Sequence, residues 1–150
     1  MDAETSPPEP LPPLSPLSDD ALVAALEARR LDPAAFTHVE HVRVAWTYLR
    51  RAPLLVALAR FTGALRGFAA HHGVAGRYHA TITAAYLILI HEAALRLPAD
   101  HSFAELRAAN PELFAGGAAL LGRYFRAETL AGEAARAAFV VPDGELVEGT

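Results

Sequence analysis

The sequence predicts an all-α protein: an up-down helical bundle with additional short helices at its C-terminal end. Three observations predict it. From Ser18 onward apolar residues recur at three- and four-residue spacing. No stretch alternates convincingly with period two, which argues against a sheet. Proline, glycine and capping residues divide the chain into helix-length segments joined by short loops, and short loops make neighbouring helices antiparallel. A chain of 150 residues with 53% hydrophobic residues can bury about 70% of its unfolded surface, so a core is within reach without cross-links.

Each element has a local reason. Residues 1–17 hold six of the eleven prolines and read as a disordered, acidic, proline-rich tail, because proline lacks the amide that helix and sheet need. Ser18 caps a first helix to about Arg30, with Asp19 and Asp20 in the first turn, where the helix dipole favours negative charge. Leu31-Asp32-Pro33 breaks it. Thr37 and Glu40 form a T-x-x-E capping box opening a second helix to about Arg51, which places Glu40 on the outward face. Pro53 starts a third helix that ends near His72, before Gly73. A fourth spans about 78–97 and stops at Pro98. Ser102 and Glu105 begin a short fifth that ends at Asn110-Pro111. Two more short helices are expected near 117–125 and 128–139, with a possible break at Gly132. Residues 18–142 thus form one helical domain, and 143–150 an acidic tail.

Composition excludes several chemistries. With no Cys there are no disulfides, thiolate metal sites or thiol nucleophiles. All thirteen basic residues are Arg, so lysine Schiff-base and P-loop chemistry is absent. The net charge of −4 divides into −8 on the two ends and +4 on residues 21–142. A mildly basic body suits a small anion but lacks the clustered basic stripe of a nucleic-acid binder. The start of the chain has no basic, apolar leader pattern, and its longest apolar run is broken by His79, Thr81, Thr83, His91 and Glu92. No membrane association and a cytoplasmic location are therefore expected.

The seven histidines carry the functional expectation. On the second helix His38 and His41 fall within the apolar half of the wheel, one turn apart. The third helix carries the stripe Leu54, Leu58, Phe61, Leu65, Phe68, and His72 continues it. On the fourth, His79 shares a face with Thr83, Tyr86 and Ile90. Antiparallel packing brings these four histidines to one end of the bundle, where imidazoles suit a divalent transition metal such as Zn, Fe, Cu or Ni. The expected ligands are His38, His41 and His79, with His72 a fourth ligand or an acid/base. Tyr48 and Tyr86, on the faces of His41 and His79, are candidate proton donors. Arg77 and Thr83 are candidate substrate contacts. Two helix N-termini at this end disfavour a bare cation, and favour an anion or a metal already carrying hydroxide or carboxylate. His71 and His101 are expected at the surface.

The strings Phe36-Thr37-His38-x-x-His41-x-x-x-Ala45-Trp46 and Tyr78-His79-x-Thr81-Ile82-Thr83, with the ending Ala138-Phe139-Val140-x-Pro142-Asp143, resemble a family of small helical bacterial proteins. The resemblance spans most of residues 33–143. It implies no activity and carries over no catalytic residue. The alanine- and arginine-rich composition without lysine is similar to that of high-GC bacteria.

The sequence-based expectation is a small metal-dependent enzyme acting on a small, anionic molecule. The alternative is a non-catalytic helical module with structural or pH-responsive histidines, meeting a protein partner through its tails or C-terminal helices.

Overall fold

The computed structural model describes residues 15–116 and 119–144. Among them the protein is all-α, with no strand. Helices α1 (Asp19–Glu27), α2 (His38–Arg51), α3 (Leu54–His71) and α4 (Ala80–Leu95) form the body. The short helices α5 (Phe103–Ala109), α6 (Pro111–Phe114), α7 (Ala127–Ala131) and α8 (Glu133–Ala137) follow, with 3₁₀ turns at Ala75–Arg77 and Leu121–Arg123. The proline-rich tail up to residue 14 and the acidic end from residue 145 lie outside the described residues, as do positions 117 and 118.

Helix α2 is the centre of the bundle and packs against α1, α3, α4 and α6. The core gathers Leu22 and Leu26 of α1, Val42 and Ala45 of α2, Phe61 and Leu65 of α3, and Leu87 and Ile90 of α4. Their three- and four-residue spacings are those of helical stripes. Ser18 caps α1 through a hydrogen bond from the Ala21 amide at 3.1 Å. Gly73, at φ +69°, lets the chain turn left-handed after α3. There the Val74 amide reaches back to the Ala69 carbonyl at 2.8 Å.

Several boundaries differ from those predicted, each for a local reason. Helix α4 begins at Ala80, because a 3₁₀ turn at Ala75–Arg77 takes up the preceding residues. Pro53 is the N-cap of α3 rather than its first helical residue. Pro111 ends α5 as expected but also opens α6, since proline is well placed in a first turn. The region expected to hold helices at 117–125 and 128–139 contains a 3₁₀ turn, α7 and α8, and Gly132 divides α7 from α8.

The largest correction concerns the polar side of α2. Thr37 makes no side-chain capping bond. Glu40, Arg43 and Thr47 are buried rather than facing solvent. Helix α1 and residues 15–17 cover them. The Arg43 guanidinium donates to Asp19 Oδ1 at 2.7 Å and to the carbonyls of Leu17 at 2.6 Å and Ser15 at 3.3 Å. Glu40 accepts from the Ser15 amide at 2.6 Å and lies 3.6 Å from Arg43. Thr47 returns its hydroxyl to the Arg43 carbonyl at 2.8 Å. Part of the expected N-terminal tail is thus tied to the domain.

The C-terminal segment is fastened to the start of α4. Thr81, 0% exposed, donates its hydroxyl to the Ala138 carbonyl at 3.0 Å and accepts from the Val140 amide at 3.1 Å. The Asp143 carboxylate accepts from the Arg126 amide at 3.0 Å and from the Thr129 hydroxyl. Helix α8 packs on α4 beneath this strap.

Replacing Arg43 by Leu strands the Glu40 carboxylate in the interior, an effect of about 3–5 kcal/mol for a broken buried pair. Urea unfolding should show that loss for Arg43→Leu, and partial recovery when Glu40→Gln removes the stranded charge.

Candidate functional site

Helices α2, α3 and α4 line a half-open cavity of about 260 Å³. Helix α2 contributes His38 and His41 to its wall, α4 contributes Thr83 and Tyr86, and Phe61, Leu65 and Ile90 supply apolar surface. A neighbouring cavity of about 340 Å³ shares His41, Leu65, Ile82 and Thr83 with the first. It continues past Phe36 and Phe68 to Arg77, Tyr78 and His79. The i, i+3 spacings of His38/His41 and Thr83/Tyr86 put each pair on one helix face, as the sequence required.

The hydrogen bonds fix which ring nitrogens remain available. A carbonyl only accepts, so an imidazole nitrogen bonded to one carries the proton, and the other nitrogen is left as the acceptor. His38 Nε2 donates to the Leu113 carbonyl at 2.8 Å, leaving Nδ1 as acceptor. His41 Nδ1 donates to the Thr37 carbonyl at 2.8 Å, leaving Nε2. His79 is different. Its Nε2 donates to the Leu130 carbonyl at 2.7 Å, and its Nδ1 accepts from the Ile82 amide at 3.1 Å, capping α4. Both nitrogens are in use.

His41 differs from His38 in its surroundings. Its ring stacks on Phe36 with centroids 3.9 Å apart. Burial lowers its pKa below the ordinary 6.5, and the charge of His38 adds to the lowering; the bond to Thr37 opposes it. At neutral pH it presents a neutral imidazole with Nε2 unprotonated, the form of a general base or hydrogen-bond acceptor. Tyr86 stands edge-on to His38 at 5.0 Å, and burial raises the pKa of its hydroxyl, which keeps it a proton donor. The Thr83 hydroxyl has no hydrogen-bond partner among the described residues. On the rim Arg77 is exposed and pairs with no carboxylate among the described residues.

The structure thus brings His38, His41, Thr83 and Tyr86 to one cavity wall, and Arg77 and His79 to the adjoining one. It does not bring His72 or Tyr48 there. His72 is the C-cap of α3, and its Nε2 donates to the Arg29 carbonyl at 3.2 Å. Tyr48 sits two helical turns beyond His41 on α2, and its hydroxyl donates to Glu27 Oε1 at 2.6 Å. Among the described residues no group of three or more His, Asp or Glu side chains is arranged to hold a metal. His79 could join such a group only by giving up a bond it now makes.

Two features escaped the sequence. His101 is buried at 6% exposure rather than at the surface. It accepts from Trp46 Nε1 at 3.0 Å and donates to the Pro98 carbonyl at 2.7 Å. A buried tryptophan N–H needs an acceptor, and that was the available signal. Phe36, beside the expected loop at Pro33, carried no sign that it would support His41.

No protein-family model, curated protein or solved structure matches this chain. Among the described residues no helix is long and apolar enough to cross a membrane.

Two outcomes follow from these bonds. Because the folded pKa of His41 lies below the unfolded value, the unfolded chain takes up the proton first as pH falls below about 6.5. Stability is therefore full above that pH and declines toward the folded pKa. The stability advantage of the wild type over His41→Phe, measured by urea midpoints, should shrink between pH 7.5 and 5.5. His79→Ala leaves the Ile82 amide and Leu130 carbonyl without their partner and should lower stability by about 1–3 kcal/mol. His79→Asn, which can still cap α4, should lose less.

Proposed function

We propose that the paired cavities bind a small molecule with an apolar body and an anionic end, and that His41 acts on it as hydrogen-bond acceptor or general base. The observation that carries this reading is the His41 ring. It lines both cavities, its Nδ1–H is committed to Thr37, and its Nε2 is unprotonated in largely apolar surroundings. Sites for small molecules combine apolar walls with a few placed polar groups, here His38, His41, Thr83 and Tyr86. Arg77 on the rim supplies charge for a carboxylate or phosphate end. His79 and His101 are structural in this reading, since each spends both nitrogens on the fold.

A divalent metal would have His38 Nδ1 and His41 Nε2 as its available imidazole donors, without His79. Elemental analysis of protein purified without an affinity tag tests that version; about one equivalent of metal would restore it.

Straight-chain carboxylates from butanoate to decanoate, titrated while the His41 ring signals are followed by NMR, test the binding reading. Affinity should rise about three- to fourfold per methylene until the cavity is filled, the factor that corresponds to about 0.8 kcal/mol per buried CH₂. Arg77→Ala should weaken every member by a similar factor, and in His41→Phe, followed through the amide signal of Thr83, which lines both cavities, binding should also weaken. Carboxylates that leave the His41 ring unchanged at every chain length would overturn the proposal.

A further inference from the structure

A separate cavity of about 300 Å³ lies where the end of α1 meets α3. Glu27, Arg29, Tyr48, Arg60, Gly63 and Gly67 bound it, and none of them lines the two histidine cavities. Its most unusual component is Arg29, which has φ +61° and is the one non-glycine residue with positive φ among those described. Arg29 follows the C-cap Ala28, the position where helices turn left-handed and glycine normally stands. A side chain there is strained, and such strain persists where the surroundings fix it. Here the Arg29 amide bonds to the Leu26 carbonyl at 3.0 Å, the Arg30 amide to Ala25 at 2.9 Å, and His72 holds the Arg29 carbonyl.

The opposite wall makes room for the guanidinium. A Cβ at position 67 would come within 3.1 Å of an Arg29 terminal nitrogen, so Gly67 lets that group lie against α3. Arg60 borders the same space, and its charge reaches the Tyr48 hydroxyl, where it opposes the upward pull of burial and Glu27. The cleft is open to solvent and is bordered by two exposed arginines and one carboxylate, which already accepts from Tyr48. Neither Arg29 nor Arg60 pairs with a carboxylate among the described residues.

We propose that this cavity is a second ligand site, in which the guanidinium groups of Arg29 and Arg60 hold the phosphate or carboxylate group of a small molecule. Guanidinium presents a planar fork of N–H donors suited to either oxyanion. A purely structural residue at position 29 would be better served by glycine; the arginine adds a charge directed to the cavity.

The test uses Arg29→Gly, which removes the guanidinium while easing the backbone. The full-length protein is titrated with inorganic phosphate at constant ionic strength, and in a second arm with acetate. The Nε–H signals of Arg29 and Arg60 and the amide of Gly67 are followed by NMR. In the wild type these signals should move together along a saturating curve. Arg29→Gly should melt at or above the wild-type temperature yet bind roughly tenfold or more weakly, as expected when a charge-assisted hydrogen bond is lost. Gly67→Ala, which displaces the guanidinium, should also weaken binding. Response to phosphate alone assigns the site to phosphate-bearing ligands, and response to both assigns it to oxyanions in general; a response to acetate alone assigns it to carboxylates. Unmoved signals with both anions, equal responses in wild type and Arg29→Gly, or an Arg29→Gly variant less stable than wild type would each overturn the proposal.

Discussion

The burial of α2 on nearly every side is the constraint from which the rest of the structure follows. A helix covered by α1, α3, α4 and α6 cannot leave its polar side chains to water, and an unmet polar group inside a protein is expensive. Yet this helix carries His38, Glu40, His41, Arg43, Thr47 and Tyr48. Each has a partner elsewhere in the chain or on the helix itself, although Glu40 Oε2 faces Arg43 at 3.6 Å without a hydrogen bond among the described residues. Arg43 and Glu40 hold residues 15–19, Tyr48 reaches Glu27 on α1, and Trp46 takes His101 from the α4–α5 connection. His38 reaches the last turn of the short helix α6. Residues 15–19, the end of α1, the α4–α5 connection and α6 thus each meet a polar side chain of α2, whereas the C-terminal strap is held by Thr81 of α4.

That constraint also sorts the histidines. Counting ring nitrogens is more informative than counting rings, because a histidine with both nitrogens bonded has no lone pair to offer. His79 and His101 are of that kind. His38, His41 and His72 each give one N–H to a carbonyl and keep one acceptor. Of these three, only His38 and His41 border the central cavity. Of the expected ligands His38, His41 and His79, the first two keep an acceptor nitrogen, while the third caps α4 with one nitrogen and holds the Leu130 carbonyl with the other.

Periodicity made the four long helices legible, because an apolar stripe is a direct record of which face is buried. The inward placement of His38, His41, Thr83 and Tyr86 was legible for the same reason. The burial of Glu40 and Arg43 was not. A helical wheel separates polar from apolar residues, but it cannot show that α1 and residues 15–17 lie across the polar half. Periodicity and antiparallel packing place His79 and His72 at one end of the bundle, yet convergence at one end says nothing about ring nitrogens. Those depend on Leu130 and Arg29, carbonyls 51 and 43 residues away in sequence. The extended strap at 138–143 was similarly hidden. It is held by Thr81 and by the carboxylate of Asp143, contacts without a periodic signature.

Electrostatics gives the histidine end of the bundle a consistent character. His38 is the first helical residue of α2 and His41 lies just beyond its first turn, while His79 is the N-cap of α4. The partial positive charge of a helix N-terminus works against an imidazolium and in favour of an anion. Burial acts on His41 in the same direction, holding it neutral. Arg77 adds a full positive charge at the rim of the adjoining cavity. A free divalent cation would enter against all of these terms. In the proposed reading, a ligand bringing its own negative charge gains from the helix ends and from Arg77, while His41 Nε2 remains a hydrogen-bond acceptor. The helix ends and Arg77 that work against a bare cation are, in that reading, the groups that would meet the anionic end of a small ligand.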